Sequence, residues 1–564
     1  MLMDMELMTP PGRVVGALPL FRQLAQDIGL VEAINQTVRW DARQCHLSPG
    51  ERLLVLVLDI LGGKSPLYRM VERWAVTDVP ILAGAGRVAA DFSDDSLGRA
   101  LDKLVRAQPA RVFGTVAAQA YVREGIALTA GHWDSTSCSL TGVYNGSDEA
   151  DVHPAYGHSK DYRPDLKQLL LTLFVNAEGV PMFGTVESGN RSDKTLNGDM
   201  LDRLVEAMAP EQLAQLIYVA DSALVTGPNL ARLSTQAIAF VSRCPETFGV
   251  VAQVKTAAWA ADNWIRMPPL AQRHDAAHYW ASEQRGVIDD RAYRLVVYRS
   301  DALDRKKSHT LDREIKRSRA TMERAAQSLN QERFVCEADA HAAWSRWQAE
   351  WAGAWCSATA VIRSVQKQKR PGRPRQTPRP EDVTVSWCID VSVGAVDAAR
   401  RQRELERRQS FVLITTISSD RLTAADLLRE YKSQTSVERH FHFVKDPWFV
   451  DGWFLKDVDR LEALGYVILL ACLLYSLLER RVRRAHLPIP SPSRRMLKHP
   501  TGHEVIRHLE SVQVVQDSRG TRHIALEPLL HPTFEAVCQA LGMDETVYTV
   551  APDLVPPKLP ATEI

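Results

Sequence analysis

Between Ala17 and Ile126 apolar residues recur at helical spacing, in LPLFRQLAQDIGLVEAIN, GERLLVLVLDILGG and DSLGRALDKLVRAQPARVFGTVAAQAYVREG. Such spacing turns one face of each helix toward a core. Ser48 and Pro49 ahead of Glu51, and Asp94 or Asp95 ahead of Leu97, read as helix starts, and Gly62 with Gly63 ends a run. No strand pattern interrupts the region, so residues 1–126 are predicted to form an all-helical N-terminal domain. From Leu128 the texture changes. IALTAGHWDSTSCSL, LKQLLLTLFVN and VPMFGTVES have strand character, with Ala177, Glu178 and Gly179 as a hairpin turn between the last two. A helix from near Asp193 through LNGDMLDRLVEAM, the apolar run QLIYVADSA, a helix through GPNLARLSTQ and the strand AIAFVSRC follow. Residues 127–248 therefore read strand, strand, strand, helix, strand, helix, strand.

The pattern then becomes mixed. Residues 249–409 combine strand-like pieces such as AYRLVVYRS and VTVSWCIDV with a long helical stretch from Ala302 to about Trp355. Within that stretch Leu311, Ile315, Met322, Ala326 and Leu329 form an apolar stripe too short for an oligomerisation zipper, which predicts a helical hairpin packed on its own subdomain. The strand FVLITTI opens residues 410–484, whose most apolar piece is ALGYVILLACLLYSLL. Its 16 residues fall short of the roughly 20 that span a bilayer, which predicts a core helix and no membrane partner. Residues 485–564 hold Pro-rich connections, the helical HEVIRHLESVQ and the tail PDLVPPKLPATEI, expected to be disordered.

Composition changes the picture in two places. A chain of 564 residues exceeds one compact core, so several domains are expected. Its formal net charge of +1 provides no global field for a polyanion, so any nucleic-acid contact must come from local clusters. Two basic runs stand out. Residues 363–379 carry Arg363, Lys367, Lys369, Arg370, Arg373, Arg375 and Arg379 without an acid, and Arg480, Arg481, Arg483 and Arg484 precede Arg494, Arg495 and Lys498. The eight cysteines lack paired spacing, which points away from zinc modules and disulfide frameworks and toward a reducing cytoplasm. The opening MLMDMELMTPPGR does not read as a signal peptide.

Three acids carry the candidate chemistry. Asp134 in HWDSTS lies within a strand run and Asp221 in IYVADSAL follows one, whereas Glu438 in YKSQTSVERHFHFVKDP lies in a charged segment of helical period. Carboxylates converging from separate elements suit divalent metals, and a pair of Mg²⁺ ions about 3.5–4 Å apart serves phosphodiester cleavage by activating a nucleophile and stabilising the leaving oxygen. Tyr431, Glu438 and Lys445 are spaced by seven, with Gln434 three after the tyrosine, which predicts one helical stripe. Lys160 and Arg163 in SKDYRP are candidate DNA contacts. Asp165 and Glu187 are spare carboxylates, and Asn190, Arg191 and Asp193 precede a helix, where they could cap it or approach the metals, with capping the expected role. His132, His440 and His442 read as packing or surface residues.

The segment from Tyr431 to Lys445 resembles the signature of the DDE transposases of bacterial insertion sequences, in the cut-and-paste branch marked Tyr, Arg, Glu, Lys. Every interval matches, and Gln434 stands where that branch has Arg. GHSKDYRPDLKQLLLTLFV and VESGNRSDKT are also similar to that group's sequences around its second and third strands. The resemblance implies an α/β, RNase H-like mixed sheet flanked by helices, interrupted before the glutamate by a large inserted β-rich and helical subdomain. It further implies catalytic and metal-binding roles for Asp134, Asp221 and Glu438, two Mg²⁺ ions for which Mn²⁺ can substitute, and DNA contacts at Tyr431, Gln434 and Lys445. The partners expected are double-stranded DNA, as terminal inverted repeats and target, and a second copy forming a homodimer on paired ends, in a bacterial cytoplasm on the nucleoid, with DNA-end binding or dimerisation as the role of residues 1–126. Gly372, Arg373 and Pro374 resemble an AT-hook, which adds Arg370, Arg373 and Arg375 as candidate contacts, with a solvated basic linker as the alternative. A catalytically silent repressor or domesticated relative, and a nuclease without end-joining, are the rival readings.

Overall fold

The computed structural model describes residues 12–144, 151–270, 277–369, 383–434, 441, 443–446, 453, 455–491, 493, 496–497 and 500–552. They form two compact units, Met1–Ser242 with Glu430–Ile564, and Arg243–Arg429. The first unit begins with helices α1 (Leu18–Asp27), α2 (Leu30–Thr37), α3 (Pro49–Leu61), α4 (Asp94–Arg106) and α5 (Pro109–Arg123). Ser48 and Glu51 close a capping box at the start of α3, the Ser48 hydroxyl accepting from Glu51 N–H at 3.2 Å and the carboxylate accepting from Ser48 N–H at 2.7 Å. α4 is capped one residue earlier than its acids suggest: Ser93 accepts from Ser96 N–H, and Asp94 and Asp95 occupy the first turn. One short strand, Arg13–Val14, departs from the all-helical expectation because its partner, Gln513–Gln516, comes from the far end of the chain.

Next come β1 (Ala130–Leu140), β2 (Lys167–Asn176), β3 (Pro181–Ser188), α6 (Asp193–Ala207), β4 (Ile217–Ala220), α7 (Gly227–Thr235) and β5 (Ala239–Arg243). These realise the predicted order. Asn176 Oδ1 accepts from the N–H groups of Glu178 and Val180, and Gly179 takes φ +85°, which closes the hairpin. The strands lie in the order β3-β2-β1-β4-β5, antiparallel from β3 to β1 and parallel from β1 to β5. This is a mixed sheet with helices, as expected for the RNase H-like class.

The second unit contains α8 (Gly249–Ala261), β6 (Tyr279–Ile288), β7 (Arg291–Ser300), α9 (Asp301–Gln331), α10 (Glu337–Glu350), β8 (Cys356–Gln368), β9 (Val383–Val396), α11 (Ala398–Gln409) and β10 (Ser410–Thr415). Asp289 and Asp290, both at positive φ, turn β6 into β7, and β10 pairs antiparallel with β7. The helical stretch is a hairpin of α9 and α10. Met322, Ala326 and Leu329 share a core with Ala340, Ala343 and Trp347 of α10 and with Ile389 and Val391 of β9, while Leu311 and Ile315 pack with Leu405 of α11. The stripe is thus consumed inside the subdomain. β8 and β9 form a long ribbon ending at the pair Gln368 and Val383. Arg370, Arg373 and Arg375, in the chain between those strands, lie outside the described residues.

The first unit resumes at the end of α12 (Ala424–Lys432) and continues with α13 (Val458–Arg484) and α14 (Gly502–Leu509). The expected core helix is the central part of α13. Its most apolar window is long and apolar enough to cross a membrane, but 94% of that window is buried, in one cluster with residues of α1 to α5, β2 and β3. Gly465 permits that packing, since a Cβ there would meet Val186 Cγ2 at 2.6 Å. The basic run closing α13 is engaged in ion pairs within the protein. Arg480 reaches Glu124 and Glu178, Arg481 reaches Asp27 and Glu124, Arg483 pairs with Glu479 and Arg484 with Glu178. Arg494, Arg495 and Lys498, like the C-terminal tail from residue 553, lie outside the described residues.

Candidate active site

β1 and β4 run parallel in the register His132 opposite Val219. Two residues further along each chain stand Asp134, within β1, and Asp221, just past the end of β4, so the sheet brings the two acids to the same level. The backbone turns sharply after β4, where the Asp221 side chain caps a short 3₁₀ turn by accepting from Ala223 N–H at 3.0 Å. Asp134 accepts from Ser135 N–H at 2.7 Å.

A third acid approaches the pair. Ser192, not Asp193, caps α6, which frees the Asp193 carboxylate to accept from Ser135 Oγ. Lys160 binds the group together, with Nζ 3.6 Å from Asp134 Oδ1, 3.3 Å from Asp193 Oδ2 and 2.7 Å from Ser135 O. Burial raises the Asp134 pKa to about 6, with Lys160 and the Ser135 N–H opposing and Asp221 and Asp193 adding to the rise. Asp221 is raised by burial as well, opposed by the Ala223 N–H and further raised by Asp193.

For Asp193 sequence reasoning favoured the cap over an approach to the acids, and the structure shows the second. An acid at a helix start reads as a cap, and its engagement depends on Ser135 and Lys160 arriving from other elements. Among the described residues no three His, Cys, Asp or Glu side chains form a group able to hold a metal. Glu438, the third expected ligand, lies outside the described residues, as do His440 and His442. The donor set that is described fits a hard divalent cation: two part-buried carboxylates, held at raised pKa by burial and mutual repulsion, gain from a positive charge.

α12 ends at Lys432, and Ser433 and Gln434 follow as a turn in which the Gln434 N–H donates to Tyr431 O at 3.4 Å, while residues 435–440 of the signature segment lie outside the described residues. The end of α12 is nevertheless fixed to the acid-bearing strand. Fully buried His132, two residues before Asp134 and on the same face of β1, has Nε2 3.2 Å from Glu430 Oε1 and 3.4 Å from Ser433 Oγ. Lys445 pairs with Asp161, the neighbour of Lys160. Arg163 is exposed and paired with Asp165 at 2.7 Å, and Glu187 is held by Arg191 at 2.6 Å.

A family model described as a transposase DDE domain matches residues 134–474, and one described as a domain of unknown function (DUF4277) matches residues 13–118. No curated protein matches. The chain is similar to a solved cryo-EM structure, the piggyBac transposase synaptic complex with hairpin DNA, at 7% identity and a TM-score of 0.37, over 97% of this chain and 89% of that one. The first match opens on Asp134 itself, runs into α13 and takes in well over half of the sequence, so the chain belongs to the transposase DDE domain family.

Proposed function

We propose that this transposase cleaves DNA at the ends of a bacterial insertion sequence and joins the freed 3′-hydroxyls to target DNA, in the manner of the cut-and-paste branch with the Tyr, Arg, Glu, Lys signature. The observation that carries this reading is the convergence of Asp134 and Asp221 on adjacent parallel strands. Asp134, Asp221 and Glu438 would hold two Mg²⁺ ions, or Mn²⁺ in their place. Bound there, the metal supplies a lowered pKa for the attacking hydroxyl and charge stabilisation for the departing oxygen.

The protein's own groups position the DNA. Lys160, which bridges Asp134 and Asp193, can turn its ammonium to a phosphate oxygen near the acids. Lys445 can exchange Asp161 for an end phosphate, and Tyr431 can stack or bond beside the scissile step. Gln434 offers one amide donor in place of a guanidinium fork. Arg163 and the segment with Arg370, Arg373 and Arg375 would contact backbone farther away. Two chains on two paired ends form the proposed active assembly, working on the nucleoid in a bacterial cytoplasm.

The test incubates purified protein with Mg²⁺, DNA bearing the element's ends and a supercoiled target. Asp134→Asn, Asp221→Asn and Glu438→Gln should each reduce cleavage and joining at least about a thousandfold, the loss of several kcal/mol of charge stabilisation, while sparing end binding. Near-normal joining by any variant removes that residue from the site. Cleavage without joining would replace transposase by nuclease, and a gel shift alone would leave a repressor. Gln434→Arg should preserve or strengthen end binding. Activity should also fall on acidification, because protonation of Asp134, whose pKa burial raises, competes with metal binding, and higher Mg²⁺ should offset the fall.

A further inference from the structure

Far along the sequence from the acids, the N-terminal helices form an open pocket of about 600 Å³ lined by Thr37, Arg39, Lys103, Arg106, Ala107, Gln108 and Arg111. The cations come from three places: Arg39 from the chain after α2, Lys103 and Arg106 from the last turns of α4, and Arg111 from the first turn of α5. Among the described residues no carboxylate lines the cavity. Lys103 Nζ has a thiol, Cys45 Sγ at 3.5 Å, for its neighbour. Asp102, whose charge Arg106 senses, is already held by Arg460 through two contacts at 2.7 and 3.0 Å. Arg99, one turn before Lys103 on the same face of α4, extends the basic surface, and no acid pairs with it among the described residues.

We propose that this cavity binds the phosphodiester backbone of double-stranded DNA. Four cations converging without counter-charge repel one another, and an anion relieves that repulsion. Arginines dominate the lining, and their planar forks match phosphate oxygens with two hydrogen bonds each. Four of the seven lining residues are cations, and contacts of cations with phosphate ignore sequence and position the duplex. Free inorganic phosphate shares this chemistry and must be distinguished from DNA. The proposal rests on the reading that the chain acts on DNA and extends it to the N-terminal helices, which the acids do not serve.

The experiment measures binding of full-length protein to a fluorescent duplex of arbitrary sequence, without metal, between 50 and 200 mM salt. Comparison is with the triple variant Arg39→Ala, Arg106→Ala, Arg111→Ala. Three lost phosphate contacts lower the slope of log affinity against log salt by about 2.7, so the wild-type chain should lose about 40-fold more affinity over that range than the variant. The triple arginine-to-lysine variant should recover most of the slope. Equal slopes for wild type and alanine variant, with both chains folded by circular dichroism, would overturn the proposal. So would competition by millimolar phosphate, at fixed ionic strength, that removes the wild-type advantage, because the cavity would then prefer the free ion. A wild-type chain that binds no DNA at all would sink the transposase reading too, whereas equal slopes with retained binding defeat only the cavity.

Discussion

Two basic regions of the first unit differ in an instructive way. Residues 480–484 are nearly contiguous cations in the sequence, and the fold neutralises them: Arg480 and Arg481 converge on Glu124, with Glu178 and Asp27 completing the set. The cavity cations Arg39, Lys103, Arg106 and Arg111 are dispersed, yet the fold gathers them without lining acids among the described residues. A charge run is therefore a poor guide to a binding surface. What matters is whether tertiary partners have already consumed the charge, because a paired cation has little left to offer a phosphate.

The sharpest way to break this comparison is Arg480→Met. The Arg480 side chain is 3% exposed and Glu124 8%, so removing the guanidinium takes buried charged hydrogen bonds from Glu124, which Arg481 still holds, at a cost of about 1.5–3 kcal/mol. Urea unfolding should show that loss, while the salt slope of DNA binding stays at the wild-type value. A slope reduced with stability unchanged would make the run a DNA contact after all.

A smaller effect is expected at the other end of α13, where Glu462 has the opposite fault. Burial, followed by repulsion from Asp459, Glu187 and Asp151, raises its pKa to about 7 from 4.5. The folded state therefore holds the proton more tightly than the unfolded one. Its contribution to stability is fully present below about pH 4.5 and is lost as pH rises to about 7. Glu462→Gln should raise the unfolding free energy at pH 8 by an amount on the order of 1 kcal/mol, discounted because the group is partly exposed, seen as a higher melting temperature, and should change little at pH 4. A gain of equal size at both pH values would mean that packing, not charge, is responsible.

Most of the fold was legible because it is written in local patterns. The strand runs around Asp134 and Asp221 and the element order between them are short-range features, and parallel pairing of β1 and β4 does the rest. The helical hairpin was equally plain from Leu311, Ile315, Met322, Ala326 and Leu329. β6 and β8 were not, since YWASEQRGVI and CSATAVIRSVQKQ are half polar and become strands through the partners that pair with them. Asp193 and the turn at Gln434 were hidden for a related reason. A cap and a ligand look alike in sequence, and periodicity does not register where a helix stops. Arg99, Lys103 and Arg106 do recur at helical spacing on α4, so part of the cavity was readable. Arg39 and Arg111 join them only through packing.

The smallest predicted effect separates the two regions most cleanly. Arg111 occupies the first turn of α5 after Gln108, whose side chain provides no cap. A cation there opposes the positive end of the helix dipole, and alanine is the better helix former by a few tenths of a kcal/mol. Arg111→Ala should thus leave stability unchanged or raise it, by no more than about 0.5 kcal/mol. The same change removes one phosphate contact and should reduce the affinity lost between 50 and 200 mM salt by about 3.5-fold. Denaturant unfolding and the salt titration can be run on the same preparation. A loss above 1 kcal/mol would show that Arg111 supports the fold, as Arg480 does, and the distinction between a consumed charge and an available one would then fail at this position.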